Sequence, residues 1–536
     1  MAGAAAAQNQ ETWSGKTAFV LAAVGSAVGL GNLWRFPYQA GENGGGAFVL
    51  VYVLCVIAIG LPVLAAELYL GRRGGGSAIA AIRRLALAEG RSGAWTAFAW
   101  IGMAASFLIV TFYSVVAGWV LYFAGLMVVD LFNGIGSQGL AALTGGAFHG
   151  VERSVIEGQF GGLLASPVMM ISMHAVFMAL TVWIVSRGIS GGIEKAVTIL
   201  MPTFFILLVV LSVFAMIQGQ ALEAVAFLFT PDWGALWLQI VGGVDDAGNT
   251  VVGGSILLSA VGQAFFSIGL GSMLMVTYGL YIGRDQSIPQ SSGIVAAADT
   301  GVALIAGLAI FPIVFQFGLE PGGGPGLMFS TLPLGFSQMP FGSLFGIAFF
   351  VMAFFAALTS SISLLEVATA FADGDVNLDA EERGRRRVRG AVILGLIVFV
   401  IGCGHALSQV PNAEAGGEDL FFNTWKPLGF LPLFAGQGLL DATDTLTTYV
   451  LLPLGGLLTS VFAGWIVSKA ASREELGFAS TGAYDRWRFL IRWVCPLFIG
   501  AVLIYGAIIA PILARAEAAP SEAAQVIEEM TQPRDE

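Results

Sequence analysis

The stretch Gly25-Ser26-Ala27-Val28-Gly29-Leu30-Gly31-Asn32 places three glycines and two polar residues inside the first long apolar segment of the chain. Glycine weakens a helix by about 1 kcal/mol relative to alanine, and closely spaced glycines favour a break in a helix. Inside a membrane, an unwound backbone is tolerated only where it is buried in protein or lines a cavity. The stretch therefore predicts a broken membrane helix with a functional role.

The composition predicts a membrane protein around this segment. The 536 residues are 57% hydrophobic and 11% charged, whereas a soluble domain carries about 25% charged residues. Apolar stretches long enough to cross a ~30 Å hydrocarbon layer recur along the chain. This pattern excludes a protein that consists mainly of a large soluble domain. The three cysteines all lie inside such stretches, so we expect neither a disulfide framework nor a cysteine metal site. The first apolar run is too long for a cleavable signal peptide.

Windowed hydrophobicity predicts about eleven membrane-spanning helices, within a single transmembrane domain that covers residues 1–536. The apolar segment 430–440 is too short to cross and is expected to be re-entrant or external, with a twelfth span as the alternative. The acidic end of the chain, 515–536, is expected to be a solvated tail. The predicted spans are 17–40, 46–71, 97–129, 167–186, 195–217, 254–282, 290–318, 343–372, 388–408, 443–468 and 487–514.

Basic residues are concentrated in three loops of this topology. Cytoplasmic loops carry an excess of lysine and arginine, which predicts a cytoplasmic N-terminus in a multi-pass protein of the cell inner membrane, surrounded by lipid. We interpret these residues as determinants of membrane orientation and not as a nucleic-acid site. The formal net charge of −11 is attributed to acidic residues in solvated loops and in the tail. The loop residues are Arg72, Arg73, Arg83, Arg84 and Arg91, then Arg383, Arg385, Arg386, Arg387 and Arg389, then Lys469, Arg473, Arg486, Arg488 and Arg492.

The sixth predicted span is interrupted in the same way, by Gly269-Leu270-Gly271-Ser272, five spans after the first break. Corresponding breaks in two halves of a transporter mark the binding site of an inverted repeat. Close helix packing is the alternative, because small residues also let membrane helices approach each other. Since the two breaks occupy matching positions and both are flanked by polar residues, we expect them to form one binding site.

Three separated groups of motifs resemble the neurotransmitter:sodium symporters. The motifs are AAVGSAVGLGNLWRFP at 22–37 with GENGGGAF at 41–48, GQAFFS at 262–267, and LTSSI at 358–362. The resemblance runs from Trp13 into the eleventh span and is greatest to bacterial amino-acid transporters with eleven helices. It implies the leucine-transporter fold, in which two inverted five-helix repeats, here about 17–217 and 254–468, are followed by one further helix at about 487–514.

The resemblance implies two sodium sites. A hard cation such as Na⁺ takes oxygen ligands, which an unwound segment supplies as free carbonyls. The second site is implied to use the carbonyls of Gly25, Val28 and Ala356 with the hydroxyls of Thr359 and Ser360. For these two hydroxyls the alternative is bonding back to a helix carbonyl.

The first sodium site is implied to use the carbonyl of Ala27 and the side chains of Asn32, Ser267 and Asp299, completed by the carboxylate of the substrate. Asp299 stands where the family commonly has asparagine, and Ala303 where chloride-dependent members have serine. An acid inside the membrane is costly and is functional by default. Our hypothesis is that Asp299 supplies the charge that chloride supplies elsewhere, so that transport needs no chloride. Exchange of protons at Asp299 is the alternative.

The substrate pocket follows from the same resemblance. Gly29 stands where monoamine transporters have aspartate, so the substrate is expected to bring its own carboxylate. Gly269 and Ser272 are small and leave room for a bulky apolar or aromatic amino acid; a small or ω-amino acid such as glycine, proline or GABA is the alternative. The implied pocket residues are Ser26, Ala27, Leu30, Gly31, Ile109, Tyr113, Phe266, Ser267, Gly269, Ser272, Ser360 and Leu364.

An outer gate is implied at Arg35 and Asp444, which lie at the outer ends of the first and tenth predicted spans, and Gln263 is expected to hold Arg35. A charge pair in this place can close the vestibule above the pocket.

The inner gate departs from the family pattern. Gln10 and Gly374 stand where an arginine and an acid are expected. Trp13 remains, and Asp373 or Asp375 could replace the missing acid.

The resemblance implies sodium-coupled symport of an amino acid into the cell by alternating access, with two sodium ions and no chloride. A non-transporting sensor on the same fold is the alternative from another class, and we expect a sensor to carry an added cytoplasmic domain. No enzyme is expected, because no His-Glu-x-x-His or Gly-x-Ser-x-Gly motif stands in a span and His149, His174 and His405 are scattered.

Overall fold

The computed structural model describes residues 13–512 apart from 149, 245–249, 252, 323, 325, 373–379 and 414–415. Its only strands in this described part are the two-residue antiparallel pair Gly243–Val244 and Thr250–Val251. Helices account for the rest of the regular structure, which confirms the prediction of an all-α membrane protein. The predicted acidic tail, Gln10 and His149 lie outside the described residues.

All eleven predicted spans are helical. The first span consists of Lys16–Ala27 and Gly31–Glu42, and the sixth of Ser255–Ile268 and Leu274–Gly279. The second to fifth and the seventh to eleventh spans are Gly46–Gly74, Gly93–Leu143, Pro167–Val185, Ile189–Gln218, Ile288–Gln316, Gly342–Ala372, Gly384–Ser408, Leu439–Ile466 and Thr481–Ile512.

Helix length separates the broken spans from the others. Nine of the described helices are long and apolar enough to cross a membrane, and the first span, bent by 47° between its halves, makes ten. The halves of the sixth span have 14 and 6 residues, and neither is long enough to cross alone. Joined through the break they cover residues 255–279, which is enough for one interrupted crossing.

The end of the third span differs from its predicted boundary for a simple reason. The third span was predicted to end at 129, but its α-helix runs to Gln138 and a 3-10 turn continues to Leu143. Polar residues such as Asn133 end the apolar window without ending the helix.

The segment 430–440 contains the turn Pro432–Phe434 and the start of the helix at Leu439, so no helix of spanning length forms there.

Shorter helices connect the spans, and three of them begin with a side-chain cap, at Ser77, Asp232 and Ser468. The Ser77 hydroxyl accepts the Ala80 N–H at the start of Ala78–Ala88, and the Asp232 carboxylate accepts two backbone N–H groups at the start of Trp233–Val241. The other connecting helices are Arg153–Leu164, Ala221–Phe229, Leu327–Thr331, Leu332–Gln338, Phe421–Thr424 and Lys469–Leu476.

The two breaks have different backbone conformations. In the sixth span, Gly269 and Gly271 have φ of 75° and 79°, a left-handed region that glycine adopts without steric cost. In the first span, Val28 is extended, with φ −74° and ψ 110°. Gly29 and Gly31 do not have positive φ. The first break therefore needs its glycines for close approach of other spans rather than for an unusual backbone.

The eighth span is the most central helix. In its apolar window, 72% of the residues are buried, against 22% for the eleventh span. Its Phe350 packs on Phe123 of the third span at a ring-centroid distance of 5.3 Å, and Phe329 lies 5.4 Å from Phe123. The third and eighth spans thus form a packed frame beside which the two broken spans lie.

Two glycines of the third span allow a matched test of this packing. A Cβ on Gly118 would lie 2.9 Å from the backbone nitrogen of His174, whereas Gly125 has nothing within 4 Å. We expect Gly118→Ala to lower stability by about 1–3 kcal/mol through overpacking, and Gly125→Ala to be neutral or to stabilise by up to about 1 kcal/mol. Thermal unfolding in detergent measures both, and equal unfolding temperatures for the two variants would contradict this packing.

Candidate functional site

The broken halves of the first and sixth spans touch each other. A Cβ on Gly31 would lie 3.2 Å from the Phe266 ring and 3.5 Å from the Cα of Ser267. Gln263 donates from Nε2 to the Gly31 carbonyl at 2.8 Å. The first glycine break is therefore in direct contact with the helix Ser255–Ile268, which leads into the second break.

Three of the residues predicted for the first sodium site form one hydrogen-bonded cluster. The Asn32 amide donates to Ser267 Oγ at 3.0 Å and to Asp299 Oδ1 at 2.9 Å. Ser267 Oγ donates to the same carboxylate oxygen at 2.7 Å. Asn32 also accepts the Gly29 N–H at 2.9 Å, which ties the cluster to the first break. All these side chains are buried, and Ala27, the fourth predicted member, is buried at the end of the first half of the first span.

A tyrosine that the sequence analysis did not single out completes this cluster. Tyr52 of the second span donates to Asp299 Oδ2 at 3.3 Å and is fully buried. Asn32, Ser267 and Tyr52 are neutral donors to Asp299, so the cluster as a whole carries the negative charge of one carboxylate when Asp299 is ionised. Such a charge inside a membrane suits a bound cation.

The residues predicted for the second sodium site also gather in one place. Ser360 Oγ lies 3.3 Å from the carbonyl oxygens of both Ser26 and Val28. A Cβ on Gly25 would lie 3.6 Å from the Cβ of Thr359. Thr359 Oγ1 lies 3.1 Å from the Ala356 carbonyl and 3.1 Å from that of Phe355, which is the back-bonding expected as the alternative.

Gly29 is enclosed by polar side chains from two other spans. A Cβ there would lie 2.5 Å from Ser360 Oγ and 2.9 Å from the Tyr113 hydroxyl. Any larger residue would need both side chains to move. The Tyr113 hydroxyl accepts the Leu30 N–H at 3.1 Å, and as a hydroxyl it still has one hydrogen to donate.

Other predicted pocket residues lie on the third, sixth and eighth spans. Ile109 and Leu364 are buried apolar side chains of the third and eighth spans. The Ser272 hydroxyl lies 2.5 Å from the Gly269 carbonyl, which it satisfies within the break. Ser106 donates to the Ser272 carbonyl at 2.7 Å.

A second residue missed in the sequence supports the sixth-span break. Glu67 of the second span is fully buried and accepts the Gly271 N–H at 2.7 Å. Its other oxygen, Oε2, has no protein partner among the described residues. An acid within an apolar span was the available signal for this residue.

Arg35 and Asp444, the residues predicted for the outer gate, form a direct ion pair. Arg35 Nη1 lies 3.1 Å from Asp444 Oδ1, and the guanidinium lies 4.8 Å from the centroid of the Phe266 ring. Thr448 accepts from the same nitrogen at 3.2 Å. Gln263 was expected to hold Arg35, but its amide donates to the first break instead.

Another buried group of residues contains aromatic rings and an ion pair. Trp13 is buried, and its ring lies 5.4 Å from that of Tyr278. Tyr281 donates to Glu366 Oε1 at 3.1 Å, and Arg387 Nη2 lies 2.5 Å from Glu366 Oε2. From the sequence, Arg387 was expected only to be one of the basic loop residues that set the topology.

The predicted substitutes for the inner gate, Asp373 and Asp375, lie outside the described residues together with Gly374 and Gln10. The roles assigned to these residues remain predictions.

Comparison with known proteins gives one consistent family. A sequence model described as the sodium:neurotransmitter symporter family matches residues 10–130 and 161–410. The uncharacterized sodium-dependent transporter YhdH of Bacillus subtilis is 36% identical over 501 residues, 93% of this chain and 98% of that protein. The sodium-dependent serotonin transporter of Drosophila melanogaster is 26% identical over 93% of this chain and 76% of its own length.

A solved structure shares the fold. The crystal structure of MhsT in complex with L-phenylalanine matches with a TM-score of 0.76 and 36% identity, over 93% of this chain and 100% of that one. The predicted leucine-transporter fold is thereby confirmed, and the chain is a multi-pass membrane protein.

The arginine of the buried ion pair has an exposed counterpart on its own helix, Ala380–Ser408, where Arg385 pairs with Glu381. The side chains of Arg387 and Glu366 are 9% and 0% exposed, and those of Arg385 and Glu381 are 71% and 81% exposed. We expect Arg387→Met to cost about 3–5 kcal/mol, because it leaves a buried charge uncompensated, and Arg385→Met to cost less than about 1 kcal/mol.

Thermal unfolding in detergent distinguishes the two variants. Adding Glu366→Gln to Arg387→Met should recover part of the lost stability. A loss of the same size for Arg385→Met would show that the buried pair has no special weight.

Proposed function

The chain belongs to the sodium:neurotransmitter symporter family and is a sodium-dependent transporter of that family, and on this premise we propose that it carries an amino acid into the cell together with sodium. Transport follows alternating access between a state open to the outside and a state open to the cytoplasm. The proposed setting is the cell inner membrane, with a cytoplasmic N-terminus.

The observation that carries this proposal is the cluster of Asn32, Ser267 and Asp299. It joins the first break, the sixth break and the seventh span through hydrogen bonds of 2.7–3.0 Å. An ion bound there contacts both halves of the protein, so its binding depends on how the halves are arranged. The carboxylate of the substrate completes the same ion site, which couples substrate to sodium directly.

We assign a second sodium ion to Gly25, Val28, Ala356, Thr359 and Ser360. The gathering of carbonyl and hydroxyl oxygens around Ser360 supports this assignment, because sodium prefers oxygen ligands. Inward release follows the gradient and the membrane potential, and ~100 mV contributes about 2.3 kcal/mol per charge.

The substrate proposal starts from its carboxylate. The second half of the first span begins at Gly31, and helix N-termini attract anions. Tyr113 adds a hydroxyl beside Leu30. Gly29 has no room for an acidic side chain, which disfavours a monoamine without a carboxylate.

At the other end of the pocket, Ile109 and Leu364 are apolar, and Gly269 and Ser272 are small. This combination fits a bulky apolar or aromatic amino acid, and MhsT, solved with L-phenylalanine, is 36% identical to this chain. A small or ω-amino acid is the alternative substrate. A non-transporting sensor on the same fold is the alternative function, and uptake measurements distinguish the two.

Uptake into proteoliposomes tests the transport proposal. With an inward sodium gradient we expect accumulation of a labelled aromatic or branched amino acid, and none with an equal potassium gradient. Replacement of chloride by gluconate should leave the rate unchanged, because Asp299 supplies a fixed negative charge. The absence of sodium-driven uptake for every amino acid in the panel would exclude the proposal, and a steep chloride requirement would exclude the role of Asp299.

Asp299→Asn tests the charge itself. A charge ~4 Å from the ion contributes about 4 kcal/mol at an effective dielectric constant of 20, so we expect the half-saturating sodium concentration to rise at least about tenfold. Adding Ala303→Ser should restore uptake only when chloride is present. Asp285→Asn, at an exposed acid, is the control. An unchanged sodium dependence in Asp299→Asn, or proton counter-transport that this variant abolishes, would favour the proton-exchange alternative.

A further inference from the structure

The linker 221–241 between the fifth and sixth spans has an apolar surface that the rest of the described chain leaves uncovered. It forms the helices Ala221–Phe229 and Trp233–Val241. Only two of its residues are charged, Glu223 and Asp232. Large exposed apolar surfaces mark sites of interaction with another protein or with a membrane. The exposed side chains include Leu222, Phe229, Trp233, Trp237, Ile240 and Val241.

The second linker helix, Trp233–Val241, turns its tryptophans away from the protein. Trp233, Trp237 and Val241 follow one another at intervals of four residues and therefore share one face. The two tryptophans are 67% and 68% exposed, whereas the neighbouring Leu236 is buried. The interfacial layer of a membrane accepts apolar helix faces of this kind, and tryptophan is enriched there.

This exposed face continues the lipid-facing surface of the spans. The fifth span ends at Gln218, three residues before the first linker helix begins, and its side chains Val213 and Ile217 are exposed. In the eleventh span, Leu497 and Ile504 are exposed as well. Because a multi-pass membrane protein presents such side chains to lipid, the adjacent tryptophans meet the edge of the same lipid layer.

A groove with a volume of ≈ 360 Å³ lies between the second linker helix, the start of the sixth span and the eleventh span. Tyr505 lines it, but its hydroxyl is occupied, because it donates to the Gly253 carbonyl. The groove therefore presents mainly apolar surface, and a flexible hydrocarbon chain fits it. Its apolar lining includes Ile240, Val241, Leu257, Leu258, Phe498 and Val502.

The second linker helix also contacts the ends of both broken spans. A Cβ on Gly44, in the loop after the first span, would lie 3.8 Å from the Cβ of Ala235 and 3.6 Å from Gln239 Nε2. The Gln239 carbonyl accepts the N–H of Gly254 at 2.8 Å, where the sixth span starts. Whatever holds this helix in place therefore also positions the ends of the two spans that form the candidate site.

We propose that the linker 221–241 lies in the interfacial layer of the membrane and that the groove holds one acyl chain of a phospholipid. The proposal goes beyond transport, since it needs only the position of the chain in a membrane. A phospholipid is the occupant because Ala501, which lines the groove, is exposed on the lipid-facing eleventh span. A chain in the groove packs on the linker helix and on the sixth span, and so stabilises their contact.

Two tryptophan substitutions on one helix test the groove. Ala501→Trp fills it, whereas Leu497→Trp adds the same side chain one turn away, outside the groove. When dioleoylphosphatidylglycerol is added to delipidated protein in detergent, we expect the unfolding temperature of the wild type and of Leu497→Trp to rise by several degrees, because a ligand of the folded state stabilises it. The unfolding temperature of Ala501→Trp should not change.

Dihexanoylphosphatidylglycerol is the control for the headgroup, because it has the same headgroup on short chains, and it should not stabilise the wild type. If Ala501→Trp fails to fold, Ile240→Asn replaces it, since it puts a polar group into the groove at an exposed position. Equal stabilisation of the wild type and the groove variants, or equal stabilisation by both lipids, would overturn the acyl-chain site.

Fluorescence quenching tests the position of the linker in membrane vesicles. Phospholipids with brominated acyl chains should quench the wild type, and Trp233→Phe and Trp237→Phe should each lose part of the quenched signal. The chain has 12 tryptophans, so Trp119→Phe, at a buried position, serves as the control that loses none. Quenching of the linker tryptophans only by aqueous iodide would place them in water. Quenching by neither agent would show that protein, such as a second copy of the chain, covers them; either result overturns the proposal.

Discussion

The structure depends on one constraint: a backbone N–H or C=O group inside a membrane must find a hydrogen-bond partner within the protein. Each helix break satisfies it with a side chain from another span. Tyr113 accepts the Leu30 N–H, and Glu67 accepts the Gly271 N–H. The breaks are therefore held by the third and second spans, and the backbone groups that remain at each break have fixed positions from which they can contact a ligand.

The same constraint applies to charge, and two buried acids meet it differently. Glu366 faces Arg387, which neutralises it within the protein. Asp299 has hydrogen bonds from Asn32 and Ser267, both neutral, so its charge is stabilised but not cancelled. A carboxylate that is paired with an arginine forms a neutral contact within the protein. A carboxylate with only neutral partners remains charged and attracts a cation. This contrast distinguishes the Glu366–Arg387 ion pair from the proposed ion site at Asp299.

The two helix breaks could be predicted from local sequence alone. Glycine pairs and the polar residues beside them can be recognised without knowledge of the fold. The family resemblance then added the eighth-span hydroxyls and Asp299, which the structure brings to the breaks. Glu67, an acid within an apolar span, was a visible signal that was overlooked. Tyr52 was missed because it acts only through contact with the seventh span, which is distant in the chain. Arg387 was mistaken for a topological charge for the same reason: only the packing of the ninth span against the eighth shows that its guanidinium is buried. Helix ends differed where polar residues extend a helix beyond the apolar window.

The third span has a consequence of its own. Its α-helix has 43 residues, about 65 Å at 1.5 Å per residue, which is twice the thickness of a ~30 Å hydrocarbon layer. Tyr113 lies near its middle, and beyond that point Asp130 accepts the Phe148 N–H and the Ser343 hydroxyl, both at 2.9 Å. One continuous helix thus contacts both the predicted pocket, through Tyr113, and the segments that contain Phe148 and Ser343, through Asp130. A molecule that binds those loops and displaces them also displaces the helix that positions Tyr113. Binding far from the pocket can therefore change the position of a pocket residue.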